Sequence, residues 1–124
     1  MRYYLLIFAF VISTAVQADA DNGLSVYQDN CLACHMYDRR GVSGMAPTLL
    51  NSPWIIGSDE LLAGYLLTGG FGPQVLMARF DYLTNEDLRD LIEYLRLEEG
   101  LDTAIDTEQI QQIRIRYQGE GLYD

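Results

Sequence analysis

The run Cys31-Leu32-Ala33-Cys34-His35 constrains this chain more than anything else in its 124 residues. Cys31 and Cys34 are the only cysteines, and His35 is the only histidine. Cys-x-x-Cys-His is the attachment signature of c-type haem. Two thiols can add across the two haem vinyl groups, giving thioether links that do not dissociate. The two-residue spacer suits the separation of those vinyls, and the histidine that follows offers its imidazole to the iron. A thioredoxin-like redox pair would want a preceding strand in a βαβ setting, and the sequence offers none. A structural zinc site wants four ligands, and no cysteine or histidine follows position 35 to complete one. A plain disulfide is the remaining alternative in an exported chain.

Export is the expectation from the N-terminus. Arg2 precedes an almost wholly apolar run from Tyr3 to Val16. That run is shorter than the roughly 18 residues a membrane span needs, and it fits the hydrophobic region of a signal peptide. Cleavage sites of small residues follow at Val16-Gln17-Ala18 and at Ala18-Asp19-Ala20, the second preferred. An uncleaved anchor is the alternative. The expected organisation is a signal peptide over 1–20, a haem domain over 21–99 and a C-terminal extension with a short helix over 100–124. The domain is then periplasmic or otherwise exported, with no stable membrane span after cleavage.

The net charge is −10, and all eight basic residues are arginine. An acidic chain without a basic stripe argues against nucleic-acid binding through phosphates. One histidine excludes catalytic or metal sites that need two. A hydrophobic fraction of 49% supports a packed core in a single small domain.

The patterning reads as all-α. A first helix is expected from about Gly23 to Cys34, then a loop rich in Gly, Pro, Ser and Asn over 36–57. Ser58 is a suitable N-cap for a second helix, with Asp59 and Glu60 placed well against its dipole. Leu61, Leu62, Tyr65 and Leu66 form its apolar stripe, and Gly69-Gly70 end it. A second loop over 71–83 contains Met77 and Phe80. Thr84 and Asp87 form a capping pair for a third helix, whose Leu88, Leu91, Ile92 and Leu95 define one buried face. Gly100 closes it. Asp106 can cap a last short helix carrying Ile110, Ile113 and Tyr117, residues that would pack on their own domain or dock a partner. Helix-only cores this small usually need a staple or a prosthetic group.

A second axial ligand for the iron would be a methionine, since no second histidine exists. Met36 adjoins His35 and cannot reach the opposite haem face. Met45 follows only ten residues after His35, in the Pro47 loop. Met77 lies on a separate loop between two helices and is the expected ligand, with core filling as its alternative role.

These residues together resemble the class I cytochrome c family over about 23–97. Gly23 and Tyr27 precede the cysteine motif as the family's glycine and aromatic do. Pro47 in Gly44-Met45-Ala46-Pro47-Thr48-Leu49 matches its histidine-supporting proline. Met77-Ala78-Arg79-Phe80 departs from its Met-Pro-x-Phe pattern by having Ala78, and Tyr94-Leu95 matches the last helix.

The resemblance implies first and last helices crossing beside one covalent haem c, with His35 and Met77 on its iron. It implies that the Pro47 carbonyl bonds the histidine, that Trp54 and Tyr65 lie near a propionate or the methionine, and that Leu49, Leu62, Leu66 and Phe80 wall the haem. It further implies an electron carrier between a redox donor and acceptor, not an enzyme. The segment Leu50-Asn51-Ser52-Pro53-Trp54 with Gly57 is similar to cytochrome modules that accompany quinoprotein or membrane-bound dehydrogenases. A dedicated haem subunit or electron acceptor of such a complex is therefore the alternative, and a gas-binding sensor a third class. The acidic surface suggests a partner with a basic docking surface. Arg39, Arg40 and Arg79 are expected near the haem edge, where they would set orientation or hold propionates.

Overall fold

A computed structural model describes residues 15–70 and 77–119. Most of the expected signal segment, residues 1–14, lies outside the described residues. Six helices are present among them: α1 (Ala15–Asn30), α2 (Leu32–His35), α3 (Pro53–Ile56), α4 (Asp59–Thr68), α5 (Asn85–Leu97) and α6 (Thr107–Gly119). The one β feature described is an isolated bridge between Val42 and Ala46. The all-α architecture is as the patterning implies.

Helix starts follow local capping chemistry. The Ser58 hydroxyl accepts from the Leu61 N–H at 3.1 Å, and the Thr84 hydroxyl accepts from the Asp87 N–H at 3.1 Å. Asp106 and Gln109 satisfy each other's backbone N–H groups, at 2.8 and 2.9 Å. Gly69 ends α4 in the left-handed conformation, φ 78°.

Three boundaries differ from expectation. α1 begins at Ala15 instead of Gly23, because Ala-Val-Gln-Ala-Asp-Ala favours helix while the expected start followed the cleavage site. The helix also does not run unbroken into the cysteines; it breaks at Cys31, and α2 is a separate single turn. The loop over 36–57 contains the short helix α3, started by Pro53 at a first-turn position where its missing N–H costs nothing.

The core forms where α1 crosses α5. A Cβ on Gly23 would lie 2.2 Å from the Asp90 carbonyl oxygen and 2.7 Å from the Tyr94 Cβ, so only glycine permits this approach. Asn22 Nδ2 donates to the buried Asp90 carboxylate at 2.6 Å, and Arg89 pairs with the same carboxylate. Leu88, Leu91, Ile92 and Leu95 are all buried on α5, each contributing about 1.5–3 kcal/mol of apolar transfer.

The expected stripe on α4 is corrected at one position: Leu61 is 49% exposed, while Ala63, Gly64, Leu67 and Thr68 join Leu62 and Leu66 inside. α4 is covered on more than one side, which a single-stripe reading does not allow for. One cover is α6, whose Ile110 and Ile113 are buried and whose Tyr117 ring lies against Gly64. These three residues therefore face their own domain, and their expected alternative use as a partner-docking face is withdrawn.

Candidate functional site

The cysteine motif sits where α1 turns into α2. The Cys31 N–H still bonds the Tyr27 carbonyl at 2.8 Å, and the His35 N–H bonds the Cys31 carbonyl at 2.9 Å. This helical spacing puts Cys31 inward and Cys34 outward; both are free thiols. Burial, with a smaller contribution from Cys34, pushes the Cys31 thiol up to about 12. Cys31 is thus held as a protonated thiol and not as an activated thiolate.

His35 is buried, and its Nδ1 lies 3.0 Å from the Pro47 carbonyl oxygen. A carbonyl only accepts, so Nδ1 carries the proton and the Nε2 lone pair is left to bind a metal. The sequence resemblance expects this contact with Pro47, and the structure brings the two groups together across 12 residues.

Two supporting features of the site were not read from the sequence: the close approach at Gly41 and the hydrogen bond made by Tyr27, a residue expected only as the aromatic ahead of the motif. Gly41 has φ 70°, and a Cβ there would lie 2.3 Å from the Ala46 carbonyl oxygen and 2.5 Å from that of Pro47. Its N–H bonds the His35 carbonyl at 3.0 Å. The close return of the loop onto the histidine therefore depends on the missing side chain. The signal available was a glycine between the motif and the proline.

Tyr27 carries the second feature. Only 1% exposed, it donates its hydroxyl to the Met36 carbonyl at 2.7 Å. Met36 has φ 65° and ψ 167°, a conformation costing about 1–3 kcal/mol for a residue other than glycine. The hydroxyl offsets part of that strain immediately after the histidine. Burial and the neighbouring Cys31 push the Tyr27 phenol up to about 12, which keeps it a donor.

The other expected residues are placed as follows. Met77 is half-buried against the core, with its backbone packed on Gly69, whereas Met45 is 61% exposed. Phe80 is buried, and its N–H bonds the Leu66 carbonyl at 2.9 Å. Leu62 and Leu66 are buried, and Leu49 packs against the same core. Trp54 and Tyr65 stack on each other, with ring centroids 4.6 Å apart, joining α3 to α4.

Of the three arginines, Arg39 does not serve the surface. It is held by Glu98 at 3.2 Å and Glu99 at 3.1 Å, with its side chain 11% exposed. It thereby ties the turn after the motif to the end of α5. Arg40 and Arg79 are exposed beside Asp38 and Asp81.

The donor set fits a covalently held haem. It offers two thiols with two residues between them and an adjacent imidazole with its tautomer fixed. Among the described residues, no group of three or more His, Cys, Asp or Glu could hold a bare metal ion.

Comparison with known proteins agrees. Residues 18–95 match the family described as cytochrome C oxidase, cbb3-type, subunit III. The chain is also 34% identical over 83 residues to the alcohol dehydrogenase (quinone), cytochrome c subunit of Gluconobacter oxydans (strain 621H). That match covers 60% of this chain and 17% of the relative, so the chain spans a small part of its length. With Cys-x-x-Cys-His at the α1–α2 junction, α1 crossing α5 at Gly23, and a family match over more than half its length, the chain belongs to the class I cytochrome c family: an electron-transfer protein, not itself an enzyme, that carries haem c covalently.

Proposed function

We propose that the chain is an exported single-electron carrier whose haem iron is ligated by His35 and Met77. The observation that carries this reading is the 3.0 Å contact of His35 Nδ1 with the Pro47 carbonyl, which frees Nε2 as the proximal ligand. Haem c supplies a one-electron Fe(III)/Fe(II) couple when bound. Cys31 and Cys34 hold it through thioethers. The half-buried position of Met77, against the exposed Met45, supports Met77 as the second axial ligand. A thioether sulfur favours the ferrous state and raises the potential. Leu49, Leu62, Leu66 and Phe80 exclude water from the site, and Trp54 and Tyr65 flank its edge. With His35 and Met77 both holding the iron, no position would remain for oxygen or substrate.

Residues 1–20 act as the signal peptide, 21–99 as the haem domain and 100–124 as the extension. The periplasm is the proposed compartment. Among the described residues no helix is long and apolar enough to cross a membrane. A redox partner with a basic surface would meet the acidic face. A second reading, a dedicated haem subunit or acceptor of a quinoprotein dehydrogenase, is favoured by the similarity to the cytochrome c subunit of that Gluconobacter enzyme.

The test of ligation is a pair of variants in the haem-loaded protein. Met77→Ala should abolish the near-infrared sulfur-to-iron band, lower the potential and let carbon monoxide bind the ferrous iron. Met45→Ala should change none of these. The reverse pattern would move the ligand to the Pro47 loop.

A further inference from the structure

α6 lies beyond residues 18–95, the part of the chain that the family match covers. Its Arg114 makes three hydrogen bonds to the stretch 81–85, two to backbone carbonyls and one to a side chain. Nη1 donates to the Asp81 carbonyl at 2.6 Å, Nη2 to the Leu83 carbonyl at 2.8 Å, and Nε to the Asn85 Oδ1 at 3.1 Å. Asn85 Nδ2 in turn donates to Gln111 of α6 at 2.8 Å. The stretch 81–85 joins Met77 to α5. On the Met77 side, the Phe80 N–H bonds the Leu66 carbonyl, and the Met77 carbonyl packs on Gly69. On the motif side, the Tyr82 hydroxyl donates to Asn30 Oδ1 at 2.6 Å. Between these anchors, two consecutive-but-one carbonyls are gripped by one planar guanidinium, a geometry that lysine cannot reproduce.

We propose that Arg114 is a positioning residue for Met77: by fixing the 81–85 backbone from α6, it holds the methionine on the iron. This rests on the His35/Met77 reading above. A charged donor fixing a backbone carbonyl is a strong restraint. Its loss raises the fraction of molecules in which the methionine is off the iron, and the apparent affinity for a competing ligand rises with that fraction.

The experiment uses the full-length, haem-loaded ferric protein titrated with imidazole, which displaces a loosely held methionine and removes the sulfur-to-iron band. Arg114→Gln should bind imidazole about tenfold more tightly than wild type, reflecting loss of charge-assisted hydrogen bonds. Arg114→Lys should fall between the two. Ile113→Val loosens α6 packing without touching these bonds. It should lower the melting temperature yet leave imidazole affinity within about twofold of wild type. An Arg114→Gln affinity equal to wild type would overturn the proposal, as would an Ile113→Val variant that matches Arg114→Gln. A wild-type band that survives Met77→Ala would instead overturn the ligation reading, and the positioning role with it.

Discussion

At the scale of single residues, the site depends on a glycine whose role is geometric. Gly41 stands between the His35 carbonyl that it bonds and the Pro47 carbonyl that it crowds. Gly41→Ala adds a left-handed-conformation cost of about 1 kcal/mol. It also places a methyl group inside the contact distance of two backbone oxygens. The expected result is a loss of roughly 2 kcal/mol or more, read from the denaturant midpoint. The Pro47 carbonyl should also move off His35, making the imidazole a weaker donor and raising the reduction potential. An unchanged midpoint and potential would show that this contact does not hold the carbonyl in place. The cysteine motif itself was legible at once, because its chemistry needs two cysteines and a histidine within five adjacent positions. The Tyr27 hydroxyl on Met36 was not: nothing in Tyr27 as a letter says that the residue nine positions on takes a strained φ.

Among elements, local signals were legible and long-range ties were not. The caps Ser58, Thr84 and Asp106 could be read because donor and acceptor lie three residues apart. The apolar spacing of α5 could be read because one face is buried against α1. The clamp of Arg39 on Glu98 and Glu99 could not, because its partners lie some sixty residues along the chain and any acidic residue could have served. The same holds for Asp59, which ties the start of α4 to the strap leading into α6. Its Oδ2 accepts from the Thr103 hydroxyl at 2.9 Å, the Ala104 N–H at 2.8 Å and the Ile105 N–H at 3.1 Å. Its Oδ1 pairs with Arg96 at 2.7 Å. Burial alone would raise the carboxyl, but these bonds and the arginine outweigh it and hold Asp59 below the usual carboxylate range. A lowered value means the stabilisation is fully present above the unfolded value of about 3.9 and fades as pH falls through the folded one. Asp59→Asn should therefore cost about 1 kcal/mol at neutral pH, discounted for solvent screening, and the gap to wild type should close in acid. Melting curves from pH 7 down to about pH 3 measure this. A constant gap across that range would assign the effect to packing instead of charge.

For the whole molecule, charge and ligation decide function. A net charge of −10 with no lysine supports the proposal that a basic partner is steered to this chain. Arg40 and Arg79 remain exposed, while Arg39 is held inside. The second-order rate of electron exchange with a basic redox protein should fall as the Debye length shortens from about 10 Å at 0.1 M salt to about 3 Å at 1 M. A flat or rising rate would mean that apolar docking governs the encounter. The docking of α6 on α4 was the least legible feature at this scale. Ile110, Ile113 and Tyr117 form an apolar face whichever surface covers it, and sequence alone does not say which. The account as a whole rests on iron ligated on both sides by the protein, and one spectrum of the wild-type protein tests it. Oxidised, then reduced, then exposed to carbon monoxide, the haem-loaded chain should show a near-infrared sulfur-to-iron band in the ferric state. The band should vanish on reduction, and the visible spectrum of the ferrous form should not change with the gas. A ferric protein without that band, or a ferrous one that binds carbon monoxide, would mean an open iron and a sensor rather than a carrier.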